Sequence, residues 1–489
     1  MVDLSLKSAA TTRGPAEAAP VPARTPILIP LIVACALFME NLDSTVLATA
    51  LPAIARSMGE NPLRLNLAIT AYLFSLAVFI PISGWVADRF GARNVFRVAI
   101  AIFLLGSILC GFSASLPQFV GARIVQGIGG AMMVPVGRLV VLRSVPKARF
   151  VSAMAYLTLP ALLGPIMGPP VGGFIATYFS WRWIFWINLP IGILGILLAT
   201  RFVPALREKQ VPPLDLPGFA LTALALVGLV FGFETVGRGI LPLPAVLALL
   251  GTGLAAAILY GLRARRVAHP IIDLTLLRLP TFRAGVIGGS LFRIGVGAIP
   301  FLLPLLLQLG FGRTPFESGT LTFVAAAGAM GMKTTAGAIL RRWGFRTVLI
   351  VNAVVSSGFL AATAIFRPET PAWFIIGVLL VGGFFRSLQF TSINAVSYAD
   401  VPPARMSLAT SFASAAQQLS LTIGVGTGAL LLHLAAAARG SATVSAADFP
   451  PAFIVVAAIA LLSLFWFVRL PHDAGAELSG RPPAGQRQS

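Results

Sequence analysis

Charged residues are scarce in this chain, and residues with reactive or metal-binding side chains are scarcer still. Charged residues make up 11% of the 489 positions, and there are 2 cysteines and 3 histidines. Cys35 and Cys110 both lie in apolar segments, so we expect neither a disulfide framework nor a metal site. No stretch resembles a nucleotide-binding loop or a catalytic triad. The chain is therefore predicted to be neither an enzyme nor an ATP-driven pump, and to need no cofactor.

What the chain has in quantity is apolar sequence. Hydrophobic residues make up 57% of it, including 34 Phe, which is the composition of a polytopic membrane protein. About 20 apolar residues cross the roughly 30 Å of a bilayer, and runs of that length recur along the whole chain. They predict an all-α integral membrane protein with 14 transmembrane helices, at 27–50, 66–86, 95–115, 117–142, 150–178, 183–202, 216–235, 241–262, 284–310, 317–340, 346–366, 371–397, 406–436 and 450–470.

The net charge of +20 is carried mainly by loops that this topology places on one side of the membrane. Because basic loops stay in the cytoplasm, both termini are predicted to be cytoplasmic, in a cell membrane and specifically the bacterial inner membrane. Dispersed charges beside membrane spans form no groove, so we expect the lipid bilayer and not nucleic acid as their partner. Residues 1–26 and 471–489 are predicted to be cytoplasmic tails, the second of them disordered.

The two halves of the chain repeat one another. Gly91 recurs as Gly344 at an offset of 253 residues, and Arg123 recurs as Arg386 at an offset of 263. The predicted domains are two six-helix bundles and a linker that carries two inserted helices, at 27–202, 283–470 and 203–282 respectively. Parallel repeats of this kind enclose a central cavity that opens to alternate sides, which is the architecture of a transporter.

Two carboxylates interrupt the first apolar run. Glu40 and Asp43 lie three residues apart, on one face of a helix and inside the span, where an ionisable side chain marks a functional site. Asp43 and Arg123 of helix 4 lie at similar depth, roughly 10 Å from the outer surface at 1.5 Å per residue. Burial favours a neutral carboxyl group and a guanidinium favours the carboxylate, so the pair fits proton coupling; a static ion pair is the alternative. Glu40 is either a second relay carboxylate or a charge that faces substrate.

Several stretches resemble known transport signatures. GWVADRFGAR at 84–93 resembles the helix 2–3 loop signature of the major facilitator superfamily, and RIVQG at 123–127 resembles its helix 4 signature. With the 14 spans, LDSTVLATALP at 42–52 and WRWIFWINLP at 181–190 are similar to the EmrB/QacA group of drug:proton antiporters. The resemblance covers about residues 27–470. It implies the superfamily's fold and proton-coupled export of hydrophobic or amphipathic small molecules by alternating access.

Helix 5 carries an element that resembles the antiporter motif of the same group. Its residues are Gly164, Pro165, Gly168, Pro169, Gly172 and Gly173. Glycines four apart remove side chains from one face of the helix and allow close packing, while the prolines kink the helix. The resemblance implies that transport runs outward.

The helix 2–3 loop is predicted to act as a gate latch made of Gly84, Asp88, Arg89, Gly91 and Arg93. Asp88 is placed to accept hydrogen bonds from the start of a facing helix and to interact with its positive dipole end. The arginines are expected to meet carboxylates or lipid phosphates. The alternative is a tight glycine turn with topology-setting charges. The second copy of the loop has Arg341 where the carboxylate belongs, so it is predicted to be an incomplete latch.

The predicted spans of the second half contain arginines but no acid comparable with Asp43 in the interior of a span. Polar residues in the spans predict a substrate cavity lined by Arg293, Arg386, Gln389, Asn394 and Gln126. If Arg293 faces this cavity, neutral, weakly acidic or monocationic substrates fit better than dications, because like charges repel; otherwise Arg293 is structural. Two other functions remain open: a transporter of a single, anionic metabolite, and a sensor or assembly partner without transport. The sequence does not identify any periplasmic adaptor.

Overall fold

The structure is a computed structural model, and it describes residues 25–60, 62–146, 149–205, 208, 211–235, 241–313, 315–441 and 444–479. Within these ranges every regular element is helical, and 12 stretches are long and apolar enough to cross a membrane. The all-α prediction is confirmed, whereas the count of 14 crossings is not. The predicted tails, 1–26 and 471–489, lie largely outside the described residues.

The N-terminal bundle is built on two sets of packed helices. Its helices are α1 Thr25–Met58, α2 Pro62–Phe79, α3 Ser83–Phe90, α4 Ala92–Phe112, α5 Leu116–Ser144, α6 Phe150–Tyr178, α7 Trp183–Trp186 and α8 Asn188–Phe202. α1 packs along α6 and α8, while α5 packs along α2 and α4. A 3₁₀ turn at Ile80–Ile82 joins α2 to α3, because Pro81 supplies no backbone N–H for a continuous helix.

The rest of the chain begins with α9 Leu216–Thr235 and α10 Leu243–Ala264. The C-terminal bundle follows, with α11 Pro280–Arg283, α12 Gly289–Gly297, α13 Ile299–Leu305, α14 Pro315–Ala362, α15 Ala372–Val396, α16 Met406–Ala438, α17 Phe449–Leu461, α18 Leu464–Phe467 and α19 Ala476–Ser479. Short 3₁₀ helices lie at Leu274–Arg278, Thr363–Ile365, Pro403–Arg405 and Ala446–Asp448, and π-helical turns at Ala284–Gly288 and Leu306–Gly310. α14 packs along α15, and α12 packs against α16 and α17.

Two glycines at equivalent positions of the repeat turn the chain sharply. Gly91 separates α3 from α4 with φ 87°, and Gly344 interrupts α14 with φ 75° and ψ 162°. A positive φ is readily available to glycine because it has no Cβ. The 48 residues of α14 would measure about 72 Å as one straight helix, more than twice the thickness of a hydrocarbon core. The bend at Gly344 divides it into two segments of ordinary spanning length.

The two bundles contact each other mainly towards one end of the molecule, which we call the basic end. It carries the turn between α3 and α4, the end of α5 and the start of α16. α3 and α5 pack against α16, and α6 packs against α14 and α15. Towards the opposite end, the N-terminal bundle has an apolar cluster of its own, which includes Leu42, Phe119 and Phe185 and is separate from the core shared by both bundles.

The two inserted helices lie outside the bundles. α9 runs along the seam between them, where it packs against α2 and α16. The Phe231 ring lies 6.1 Å from the Phe74 ring of α2, and Gly426 of α16 lies close to the backbone oxygen of Phe233. α10 packs chiefly on α9 and exposes apolar side chains such as Leu247 and Ile258, as expected for a lipid-facing helix.

Candidate functional site

The two carboxylates of α1 are both buried in the N-terminal bundle. The helical repeat places Glu40 and Asp43 on one face, and the residues are 9% and 1% exposed. A buried carboxylate needs a counter-charge or several hydrogen bonds to remain ionised. Among the described residues Asp43 has such partners and Glu40 does not, so the two carboxyl groups are suited to different roles.

Asp43 is held by three side chains from two other helices. Its Oδ2 lies 2.6 Å from Nη1 of Arg123, which is itself only 1% exposed. Its Oδ1 accepts hydrogen bonds from Nε2 of Gln126 at 2.9 Å and from Nδ2 of Asn188 at 3.2 Å. Arg123 and Gln126 are three residues apart on α5, so one helical face supplies both donors. The structure therefore joins the helix 1 acid to the helix 4 signature in a single buried network.

A second layer of residues fixes the donors of Asp43. The hydroxyl of Ser107 accepts hydrogen bonds from Gln126 at 2.9 Å and from Asn188 at 3.2 Å. The guanidinium of Arg123 stacks on the ring of Tyr72, 4.4 Å from its centroid, while the Tyr72 hydroxyl has no hydrogen-bond partner in the described residues. Sequence reasoning missed Tyr72 and Ser107, because a tyrosine or a serine in a membrane span is ordinary.

Glu40 lacks such a network. In the described part of the chain its Oε2 is buried and has no hydrogen-bond partner, and no ion pair of Glu40 is found there. The group is near enough to Asp43 and Tyr72 to interact with both electrostatically. A buried carboxyl oxygen without a partner is costly and is explained by a proton or by a ligand that completes the site.

The glycines of α6 lie against α1 beside Asp43. A Cβ on Gly164 would come within 2.9 Å of the backbone nitrogen of Leu42, and one on Gly168 would come within 2.0 Å of the Thr45 hydroxyl. The absence of side chains thus lets the two backbones approach closely. Gly172 is buried in the same helix. The motif residues Pro165, Pro169 and Gly173 lie in α6, but their side-chain surroundings fall outside the described residues.

The predicted latch lies at the basic end, against the start of α16. Asp88 accepts a hydrogen bond from the Ser407 hydroxyl in the first turn of α16, and another from Nη2 of Arg143 at 3.0 Å. Arg143 also contacts Glu208 at 3.0 Å. Gly84 lets α3 approach α16, because a Cβ there would lie 2.5 Å from the Ser407 backbone oxygen. Asp88 therefore touches the opposite bundle directly, and neither Arg143 nor Ser407 was predicted.

The other latch residues do not cross between the bundles. Arg89 is exposed, and Nη1 of Arg93 donates to the backbone oxygen of Val203 at 3.4 Å. In the second copy, Nη2 of Arg346 donates to the Val468 oxygen at 3.0 Å, so this contact repeats. The equivalent of Gly84, Gly337, is more loosely packed, with its nearest atoms 3.6 Å or more from an added Cβ. The asymmetry agrees with a single complete latch.

The five residues predicted to line one substrate cavity lie in three places. Gln126 belongs to the Asp43 network. Arg386 lines a pocket within the C-terminal bundle, and Gln389 is bonded within the same bundle to Asn352 and to the backbone of Leu349. Only Arg293 and Asn394 are joined, by a hydrogen bond of 2.9 Å. The structure therefore does not bring the five residues together, because Gln126, Arg386 and Gln389 face the interior of their own bundles.

Two polar contacts between the bundles involve basic residues that were not predicted to cross between them. Nζ of Lys333 on α14 donates to the hydroxyl of Thr158 on α6 at 2.7 Å, and to that of Thr391 at 2.8 Å. Arg138 on α5 donates to the hydroxyl of Tyr398 at 3.2 Å. Both basic residues lie close to the predicted ends of their spans, where a long side chain ordinarily reaches the surface. Sequence alone therefore gave no signal that they cross between the bundles.

These features agree with comparisons to known proteins. The sequence profile of the Major Facilitator Superfamily matches residues 33–425 and 285–487. The multidrug resistance protein MdtD of Salmonella heidelberg (strain SL476) is 38% identical over 90% of this chain and 94% of its own length. The MdtD protein of Pectobacterium atrosepticum is 39% identical over 90% of this chain and 95% of its own length.

Two solved structures share the fold at low sequence identity. The human organic anion transporter MFSD10 matches with a TM-score of 0.66 at 16% identity, over 91% of this chain and 100% of its own. The proton:xylose symporter XylE matches with a TM-score of 0.65 at 14% identity, over 93% of this chain and 98% of its own. With the profile match and the MdtD relatives, these results show that the chain is a multi-pass membrane protein that belongs to the major facilitator superfamily.

Proposed function

We propose that this protein exports hydrophobic or amphipathic small molecules in exchange for protons. The observation that carries the proposal is the buried Asp43 carboxylate, held by Arg123, Gln126 and Asn188 where α1 meets the glycine face of α6. The name of the MdtD relatives, multidrug resistance protein, supports the drug-type substrate class. The chemistry is transport, with no bond made or broken in the substrate.

Proton coupling follows from what protonation does to the ion pair. A proton on Asp43 removes the charge that holds Arg123 and leaves a neutral acid that donates one hydrogen bond. The loss of an ion-paired partner in a buried site costs several kcal/mol, so the helices rearrange to give Arg123 new partners. Gly164 and Gly168 place no side chain between the closely packed backbones of α1 and α6, so α1 can slide along this face of α6. Protonation and helix movement are then two parts of one equilibrium.

Glu40 is proposed to take part on the substrate side of the same step. Its unpartnered Oε2 lies in the N-terminal bundle within electrostatic range of Asp43. A proton or the amine of a substrate would satisfy that oxygen. In the first case Glu40 relays protons to Asp43, and in the second it competes with Asp43 for positive charge. The second role couples substrate to proton, because two nearby carboxylates repel each other and compete for positive charge.

The conformation described by the structure fits the outward-facing half of an alternating-access cycle. Bundle contacts such as Asp88 to Ser407 and Lys333 to Thr158 lie at the basic end or at mid-height. We propose that the basic end faces the cytoplasm of a bacterial cell, with both termini on that side, since basic loops remain inside. The Asp88 latch then holds the cytoplasmic side closed while the opposite side is open.

We propose 14 crossings for the chain. The 29-residue helix α6, which is not among the 12 candidate spans, packs along α1 inside the bundle. The bend at Gly344 divides a 49-residue candidate into two. These two additions give two six-helix bundles, 27–202 and 283–470, with α9 and α10 in the linker 203–282 between them.

Export by proton exchange is tested in inverted membrane vesicles. Vesicles with and without the protein are energised, and N-phenyl-1-naphthylamine, ethidium and 1-naphthoate are offered in turn as neutral, cationic and anionic probes. The proposal predicts accumulation of at least one probe that collapses when the proton gradient is discharged. Accumulation that survives a protonophore, or the absence of accumulation of all three, contradicts it.

A further inference from the structure

Two arginines meet at the junction of the bundles with no carboxylate beside them. Arg138 belongs to α5 of the N-terminal bundle and Arg293 to α12 of the C-terminal bundle, and the residues are 7% and 4% exposed. Within the described part of the chain, neither guanidinium forms an ion pair; their recorded partners are neutral side chains. Two buried positive charges without a counter-charge are unfavourable, which indicates that an anion completes the site.

The two guanidiniums converge on the C-terminal end of α15 and the turn that follows it. Arg138 donates to the Tyr398 hydroxyl at 3.2 Å, and Arg293 donates to Oδ1 of Asn394 at 2.9 Å. Asn394 lies in the last turn of α15, which ends at Val396, and Tyr398 lies in the turn that directly follows, so both partners belong to one short stretch of the chain. Both guanidiniums therefore lie beside the same stretch of chain, one supplied by each bundle. An anion between them would interact favourably with both.

Unused hydrogen-bond donors remain in this region. In the described residues Nε of Arg293 is buried and has no acceptor, and the buried hydroxyl of Ser414 has no partner. Ser414 lies three residues before Gln417 on α16. The Oε1 of Gln417 accepts a hydrogen bond from Nη2 of Arg138 at 3.4 Å. Ser414 therefore lies on the face of α16 that is turned towards Arg138. A carboxylate has four lone-pair positions and would use donors of this kind.

We propose that Arg138 and Arg293 together bind the carboxylate of an amphipathic organic acid that the protein carries. The inference rests on the proposed export function and adds a substrate class to it. The planar fork of arginine matches a carboxylate with two parallel hydrogen bonds, and such charge-assisted bonds are the strong ones. This site differs from the predicted cavity, which included both Arg293 and Arg386, because Arg386 faces a pocket inside its own bundle.

The location of the site gives it a mechanical consequence. Each bundle supplies one arginine, and without an anion the two charges push the bundles apart at this level. A carboxylate bound between them attracts both. Substrate binding would therefore favour the conformation in which the basic end is closed, which is the step that moves cargo away from the cytoplasm.

The test measures binding of 1-naphthoate and of 1-naphthamide, its neutral analogue, to the purified full-length protein by equilibrium dialysis. We expect the wild type to bind the acid at least tenfold more tightly than the amide. Arg138→Gln and Arg293→Gln should each weaken acid binding by roughly tenfold or more, since each removes a charge-assisted contact. Arg342→Gln removes an exposed arginine at the basic end and should leave both affinities unchanged.

Equal affinity of the wild type for acid and amide overturns the proposal, and this comparison needs no variant to fold. If the Gln variants are unstable, Arg138→Lys and Arg293→Lys keep the charge and should retain part of the acid preference; a preference unaffected by all four variants also overturns it. Loss of naphthoate binding on addition of phosphatidylglycerol at equal concentration would assign the site to a lipid headgroup and reject the substrate assignment.

Failure of this inference is distinguishable from failure of the proposed function. Dialysis requires no proton gradient, so the acid site stands if naphthoate binds while vesicles show no proton-dependent accumulation of any probe. Conversely, proton-dependent export of the neutral or cationic probe, without a preference for naphthoate in binding, leaves the exporter intact and removes the acid site.

Discussion

Neutralising Asp88 should open the basic end of the protein. In the structure Asp88 accepts hydrogen bonds from Ser407, in the first turn of α16, and from Arg143, and its side chain is only 14% exposed. Asp88→Asn keeps the size of the side chain but removes its charge. Arg143 retains Glu208 at 3.0 Å, so the variant does not leave a guanidinium without a partner. The variant therefore weakens the contact with Ser407 between the bundles and the ion pair with Arg143 inside the N-terminal bundle.

The size of the effect follows from the loss of a carboxylate at a helix N-terminus. Such a charge contributes about 0.3–1 kcal/mol on an exposed helix and up to about 2 kcal/mol where it is partly buried. Asp88 belongs to the second class, and about 2 kcal/mol changes the ratio of the two conformations roughly thirtyfold. A conformation with its basic end open that is populated at about 1% would rise to roughly a quarter of the molecules.

Spin-label distances measure this shift directly. Labels at Asn94→Cys and Arg342→Cys, both exposed at the basic end, report the separation of the bundles after Cys35 and Cys110 are replaced by alanine. Double electron–electron resonance should show a new, longer distance in Asp88→Asn. Asp400→Asn is the matched control, because Asp400 accepts from the Thr281 hydroxyl at 2.8 Å within the C-terminal bundle. Identical distance distributions in the wild type and Asp88→Asn would refute the latch.

Two further predictions use contacts elsewhere between helices. Gly164→Ala should slow transport and destabilise the fold by about 1–3 kcal/mol, because the new Cβ lies 2.9 Å from the Leu42 nitrogen. Gly377→Ala is the control, because no atom of the described residues lies within 4 Å of a Cβ at that position. Equal transport rates and melting temperatures in the two variants count against the close-packing role. Lys333→Met should broaden the same spin-label distance distribution, because it removes the hydrogen bonds to Thr158 and Thr391. It should not lower the melting temperature, because it also removes a buried charge. An unchanged distance distribution would show that Lys333 does not hold the bundles together.

Residue spacing predicted contacts within one helix and between helices at matched depth. Counting residues from the span ends put Asp43 and Arg123 at one level, and in the structure they are 2.6 Å apart. The helix 2–3 loop and its second copy each contain a glycine with positive φ, Gly91 and Gly344. The repeat predicted this match, because the conformation of such a turn depends on the residues within it. Depth is readable from sequence in a membrane protein because each span must begin and end at an interface.

Contacts that depend on the rotation of a helix about its own axis were not predictable. Arg386 and Gln389 have the spacing of Arg123 and Gln126, but α15 turns them into its own bundle, where no acid faces them among the described residues. Asp88 has two partners, Arg143 and Ser407, which belong to different bundles. The distance between Asp88 and Ser407 is fixed by how the two whole bundles pack. A polar residue near the end of a span, such as Arg138, is expected from sequence to reach the membrane surface. Only the structure shows which residues it contacts instead.

Proton movement in Asp43→Asn tests the central claim most directly. Proteoliposomes containing a pH-sensitive dye report protons moved when the exported probe is added, and counterflow of labelled probe reports exchange without a net gradient. The account predicts that Asp43→Asn folds, binds and exchanges the probe but moves no protons, because the group that releases Arg123 on protonation is gone. Proton movement per probe molecule equal to that of the wild type would contradict the assignment of Asp43 as the coupling residue.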